Sequence, residues 1–260
     1  MDSVASQVRE NTLIAEEILF DLLPLVQPGI STWELHRKAE ERYIRRRVLP
    51  SAPFLGSPHS ISIAVNEEVV FGVISPEKLF LSGDIVKIDL GVFKNGVFSD
   101  LGVSTGVGHL SVDSAKLVHG TGHALLSALN TLFDQVTVGE ISTALESTLR
   151  NNRISPIPQI CSHAIGRHPH ERPFVPSVTT LPFVDYEDRL SRGVIICIEP
   201  FGTNGSGQTS NGACHPLSTT DAHPVAYFEL PVFISDSGPE VLAKQTFSYI
   251  VATLRNDQVS

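Results

Sequence analysis

Asp89 and Glu199 each close a short apolar run that a glycine opens six residues earlier. The runs are Gly83-Asp84-Ile85-Val86-Lys87-Ile88-Asp89 and Gly193-Val194-Ile195-Ile196-Cys197-Ile198-Glu199. A carboxylate where a buried strand should stay apolar is costly unless something cationic meets it. Each half of the chain supplies a second acid. Asn95-Gly96 stands between two apolar runs, the signature of a two-residue hairpin turn with positive φ at both central positions. That turn makes Lys94 face Val97 and Gly91 face Asp100. Alternation then places Asp89 on the face of Gly91, with Asp100 as its diagonal neighbour about 7–8 Å away at the backbone. Glu229 lies inside Ala226-Tyr227-Phe228-Glu229-Leu230-Pro231-Val232-Phe233-Ile234, too apolar a run for an unpaired charge. Carboxylates gathered this way raise one another's pKa unless a metal or another cation neutralises them.

A nitrogen ligand would complete such a set. His163 and His170 bracket His163-Ala164-Ile165-Gly166-Arg167-His168-Pro169-His170, a stretch too irregular for an ordinary core strand. One imidazole beside four carboxylates makes an oxygen-rich site with one nitrogen, which suits manganese, iron, cobalt or zinc. His119 and His123 are four apart on an expected helix, but Gly120 stands where a zinc protease carries its glutamate base, so they read as helix surface. Cys161, Cys197 and Cys214 are odd in number and lack zinc-finger spacing, as expected of reduced thiols in a cytoplasmic protein. Cys161 reads as a plain buried thiol.

The elements that must position these groups follow from periodicity. Leu13, Ile14, Ile18, Leu19, Leu22 and Leu23 recur at helical spacing, giving a first helix that ends near Pro24. Ser31-Thr32-Trp33-Glu34 is a capping box for a second helix reaching about Arg47, whose Arg45-Arg46-Arg47 reads as a solvated end. A strand near Ser60 to Val65 and the Asp hairpin follow. Helices through about Ser111 to Phe133 and Glu140 to Asn152 come next, then strands around Cys161, Glu199 and Glu229, with 201–224 as an extended loop. The order helix, helix, strands occurs twice, and the offset relating Asp89 to Glu199 also relates Val26 and Gly29 to Val136 and Gly139. A duplicated half-domain is expected, with halves of about 1–110 and 111–260, in an α+β fold whose helices back a curved, mostly antiparallel sheet.

With 260 residues and 42% hydrophobic content, the chain can bury a sizeable core as one domain. A net charge of −9 argues against nucleic-acid binding, no run approaches a membrane span, and the acidic N-terminal stretch lacks signal-peptide character.

These residues resemble the pita-bread-fold metallopeptidases, a family that includes methionine aminopeptidases, Xaa-Pro aminopeptidases and prolidases. The resemblance runs from Val26-Gln27-Pro28-Gly29 to Ser235-Asp236-Ser237-Gly238. It implies five ligands to two divalent ions, Asp89, Asp100, His163, Glu199 and Glu229, and selects His163 over its neighbours. It further implies that Glu199 moves a proton and that His170 meets the substrate and the developing oxyanion. The substrate would be a peptide or nascent-protein N-terminus. Ile198-Glu199-Pro200-Phe201 and Phe228-Glu229 look most like methionine aminopeptidase, whereas Ser99-Asp100 and His170-Glu171-Arg172-Pro173 look like Xaa-Pro enzymes.

Two departures stand out. After Val65-Asn66-Glu67-Glu68-Val69-Val70, Phe71 occupies the place of a histidine that contacts substrate in methionine aminopeptidases, and Leu101 replaces a common threonine. Three alternatives therefore stand at this point: a two-metal aminopeptidase, a metal-binding relative with altered or lost peptidase chemistry, and a binding protein that keeps the fold.

Overall fold

In the computed structural model the described residues are 3–210 and 216–255, so Cys214 lies outside them. The first half runs α1 (Val4–Leu22), α2 (Thr32–Arg46), β1 (Leu49–Pro50), β2 (Ser62–Val65), β3 (Glu68–Val70), β4 (Ile85–Leu90), β5 (Val92–Lys94), β6 (Val97–Phe98) and β7 (Leu101–Gly106). The second runs α3 (Val112–Leu129), α4 (Val138–Asn151), β8 (Ser155–Pro156), β9 (Cys161–Ala164), β10 (Glu171–Pro176), β11 (Ile195–Ile198), β12 (Phe201–Thr203), β13 (Leu217–Ser218), β14 (Val225–Tyr227), β15 (Leu230–Ser235), β16 (Gly238–Val241) and α5 (Lys244–Arg255). The architecture is α+β, as expected.

Among the described residues every strand pairing is antiparallel, but the sheet is broken into short pieces, of which β2-β4-β7 and β10-β9-β11-β15-β16 carry the site. The trio β9-β11-β15 repeats the order of β2-β4-β7. Loop hydrogen bonds repeat too. The Gly29 N–H donates to the Phe80 carbonyl and the Phe80 N–H to Ile30; likewise Gln135 donates to Leu190 and Leu190 to Val136. The counterpart of Gly29 (φ 88°) is thus Gln135 (φ 70°), and not Gly139, which sits inside α4. Each half opens its second helix with the same device: a hydroxyl, Ser31 or Thr137, accepts from the backbone of Glu34 or Glu140, whose carboxylate accepts in return.

One hydrophobic cluster runs through both halves, from Ile18 and Leu22 of α1 through Ile88 and Val103 to Leu145 and Ile198. Leu13 falls outside the buried stripe of α1 and is 52% exposed. The Arg45-Arg46-Arg47 end is not wholly solvated, because Arg46 pairs with Glu17 at 3.0 Å and Asp21 at 3.3 Å and so ties α2 to α1. The stretch 201–224 is not all loop. It contains β12, and among its described residues β13 pairs with β3. Among the described residues, no helix is long and apolar enough to cross a membrane.

Candidate metal centre

The hairpin register that Asn95-Gly96 dictates runs unbroken into the site. Lys94 pairs with Val97, Val92 exchanges hydrogen bonds with Ser99, and Asp89 pairs with Gly102. Asp100 therefore falls where the turn requires, diagonal to Asp89 and on the same side. The second half presents its acids at strand ends. Glu199 follows β11, with its N–H held by the Ser162 hydroxyl at 2.9 Å. Glu229 sits in the break between β14 and β15, where it exchanges backbone hydrogen bonds with Gly102 of the first half at 2.9 and 3.3 Å.

Asp89, Asp100 and Glu229 present carboxylate oxygens that all lie within 4.8 Å of one another, and Asp100 is equally close to His163 and His170. His163 Nε2 is 3.6 Å from Glu199 Oε1 and 3.8 Å from Glu229 Oε1. Two donors bonded to one zinc-like ion at about 2.1 Å stand about 3.4 Å apart in a tetrahedral site, so these separations match shared coordination. All five expected ligands are brought together. His170 lies against them, its ring centroid 4.2 Å from that of His163. His119 and His123, on α3, join no such group among the described residues.

The electrostatics call for protons or a cation to neutralise the acids. Asp100 Oδ1 and Glu229 Oε1 are buried and have no hydrogen-bond partner. Burial pushes Asp89 up to about 7, and burial together with the neighbouring carboxylates holds Asp100, Glu199 and Glu229 well above the usual range. Burial, then the adjacent His170, lowers His163 to about 3. Its Nδ1 lies 3.1 Å from the Ala164 carbonyl, which orients the ring with Nε2 towards the acids. A neutral imidazole and four crowded carboxyls offer lone pairs and little positive charge, so the donor set fits divalent metal ions.

These groups floor a cavity of about 360 Å³ walled by Phe71, Leu55, Ile160, Cys161, Phe174 and Phe183. Cys161 is half-buried in this wall, with its thiol pushed up to about 11, chiefly by burial. Phe71 is held at φ 48°, its N–H donating to the Ser62 hydroxyl at 2.9 Å. The next residue packs against Glu68, whose carboxylate accepts from the N–H groups of Val65 and Val73 and pairs with Lys78.

Sequence reasoning missed Cys197, whose sulfur lies within 4.8 Å of donors on His163 and Glu229. The signal was present: a residue two before Glu199 on the same strand shares its face.

Comparison with known proteins fits this arrangement. The model of metallopeptidase family M24 matches residues 6–220. The chain belongs to that family. Methionine aminopeptidase of Aquifex aeolicus is 31% identical over 248 residues, covering 92% of this chain and 95% of its own. That of Clostridium perfringens is 32% identical, covering 90% and 94%. The crystal structure of methionine aminopeptidase from Thermotoga maritima superposes with a TM-score of 0.84 at 26% identity, covering 90% and 94%. An Xaa-Pro dipeptidase of Bacillus anthracis shares the fold, with a TM-score of 0.73 at 20% identity, covering 94% of this M24 chain and 61% of its own. The pita-bread architecture expected from the motifs is thus the one found, in a metallopeptidase whose family implies divalent metal ions.

Proposed function

We propose that this M24 chain is an aminopeptidase that removes the first residue, methionine, from peptides or nascent proteins, using two divalent ions held by Asp89, Asp100, His163, Glu199 and Glu229. The convergence of those five side chains from both halves at one cavity floor carries the reading. Asp100, His163 and Glu229 each take part in two donor groups, and of the three only the carboxylates have two oxygens with which they would serve two ions. Manganese, cobalt, iron and zinc all suit the donors. We also read residues 1–260 as one catalytic domain of two pseudo-repeat halves, about 1–110 and 111–260.

When bound, the ions would polarise the scissile carbonyl and acidify a water. The protein's own groups do the rest. Phe71, Leu55 and Ile160 would enclose the apolar part of a substrate that lies against the floor. Glu199 would carry a proton towards the leaving amine. The pKa of His170 is lowered by burial, so the ring is neutral near pH 7 and its N–H can donate to the developing oxyanion.

One observation favours a second reading. Phe71 lines the cavity and has no proton to give, which suits a metal-retaining relative with altered chemistry. Assay with manganese or cobalt on Met-Ala, Ala-Ala and Xaa-Pro peptides separates the two. Release of methionine by the unaltered protein supports the first; metal uptake without turnover refutes it.

A further inference from the structure

The donors around this centre fall into two groups of different chemistry. Asp89, Asp100 and Glu229 form an all-oxygen set, and His163, Cys197 and Glu229 form a set of nitrogen, sulfur and oxygen. All-oxygen sets suit hard ions such as manganese, and thiolate with imidazole selects zinc and its softer congeners.

Several features aim the thiol at the centre. Cys197 is wholly buried on β11, directly across from His163 on β9 and from Pro231 on β15. Strand alternation gives it the face that Glu199 uses. His163 and Glu229 are each 2% exposed, and Glu229 Oε1 has no hydrogen-bond partner. Cys197 borders the apolar cluster of Ile165, Ile195 and Leu242 on one side, and on the other its thiol hydrogen-bonds to the Glu229 carboxylate, with a His163 ring nitrogen within 4.8 Å.

We propose that the two metal positions differ in kind: Asp89, Asp100 and Glu229 hold a hard divalent ion, while Cys197 joins His163 and Glu229 at a position that takes a thiophilic divalent ion such as zinc. The proposal rests on the metal-centre reading above and adds a ligand to it. Coordination exchanges the S–H bond for a sulfur–metal bond, and the proton leaves to solvent with no change of oxidation state.

Cobalt(II) titration of the full chain tests it, because the visible bands report bound metal and a near-ultraviolet sulfur-to-cobalt charge-transfer band reports the thiolate. The wild type is expected to show both, and Cys197→Ser and Cys197→Thr to keep the visible bands and lose the charge-transfer band. In both variants zinc affinity should fall by about tenfold or more, while manganese affinity changes by less than about twofold. Visible bands without charge transfer in the wild type overturn the proposal and leave the metal-centre reading standing, as does undiminished zinc affinity in the variants. No cobalt uptake by the wild type overturns both. Should neither variant fold, a Cys161→Ser, Cys214→Ser protein decides, since it keeps only Cys197: a charge-transfer band there supports the proposal and its absence overturns it.

Discussion

Gly72→Ala should disable the wall that holds Phe71. An added Cβ would lie 2.2 Å from Glu68 Oε2 and 2.5 Å from the Ile63 carbonyl oxygen. Neither atom is free to retreat. The carbonyl belongs to β2, and the carboxylate is fixed by Val65 N–H at 2.8 Å, Val73 N–H at 3.0 Å and Lys78 Nζ at 2.5 Å. Overpacking against fixed atoms costs about 1–3 kcal/mol, and losing a hydrogen bond to a charged group adds about 1.5–3 kcal/mol. A loss of about 3 kcal/mol is therefore a conservative expectation, which for a chain of this size lowers Tm by about 6–12 °C. The displaced segment carries Phe71, so KM for a peptide substrate should rise as well. Thermal unfolding of the metal-loaded protein measures the first effect and steady-state kinetics the second. Gly29→Ala is the control, with nothing within 4 Å but φ at 88°, and should cost only about 1 kcal/mol through backbone strain. A Gly72→Ala protein as stable as wild type, or less impaired than Gly29→Ala, would refute the steric argument.

The raised carboxyl pKa values predict that metal stabilises more as pH rises. The folded, metal-free protein holds these protons more tightly than the unfolded chain, so their contribution is complete at low pH and is lost as pH climbs; for Asp89, from 3.8 to about 7, the loss is on the order of 4 kcal/mol. The Tm gain on adding manganese should grow across that window, and a pH-independent gain would contradict it. Glu229→Gln should weaken metal binding and flatten the pH dependence of the metal-free protein's Tm, because a carboxyl whose proton is lost as pH climbs gives way to an amide that does not titrate; calorimetry with and without chelator across pH checks both halves of the statement. Phe71→His should raise turnover of Met-Ala by about 10²–10⁴ if a proton-handling group is what the wall lacks, and an unchanged kcat would dismiss that role.

What the sequence made legible follows the range of the forces involved. The Asn95-Gly96 turn fixes register locally, so the convergence of Asp89 and Asp100 could be worked out from alternation alone. The capping boxes at Ser31 and Thr137 are equally local. Glu229 was visible as a misplaced charge, but its partner Gly102 lies in the other half, a pairing no short window contains. Choosing His163 over its neighbours needed the family resemblance, and the helix α5 escaped notice because it buries only Thr246, Ile250 and Leu254. Cys197 stayed hidden for a different reason: among isoleucines, a thiol looks like core.

The exchange of backbone hydrogen bonds between Gly102 and Glu229 makes the centre a seam. Cut in the turn before α3 and produced as two separate polypeptides, the molecule should reassemble from its pieces far more readily when divalent ions are supplied. The ions would then act as the clasp of a split protein, each fragment bringing ligands that the other lacks.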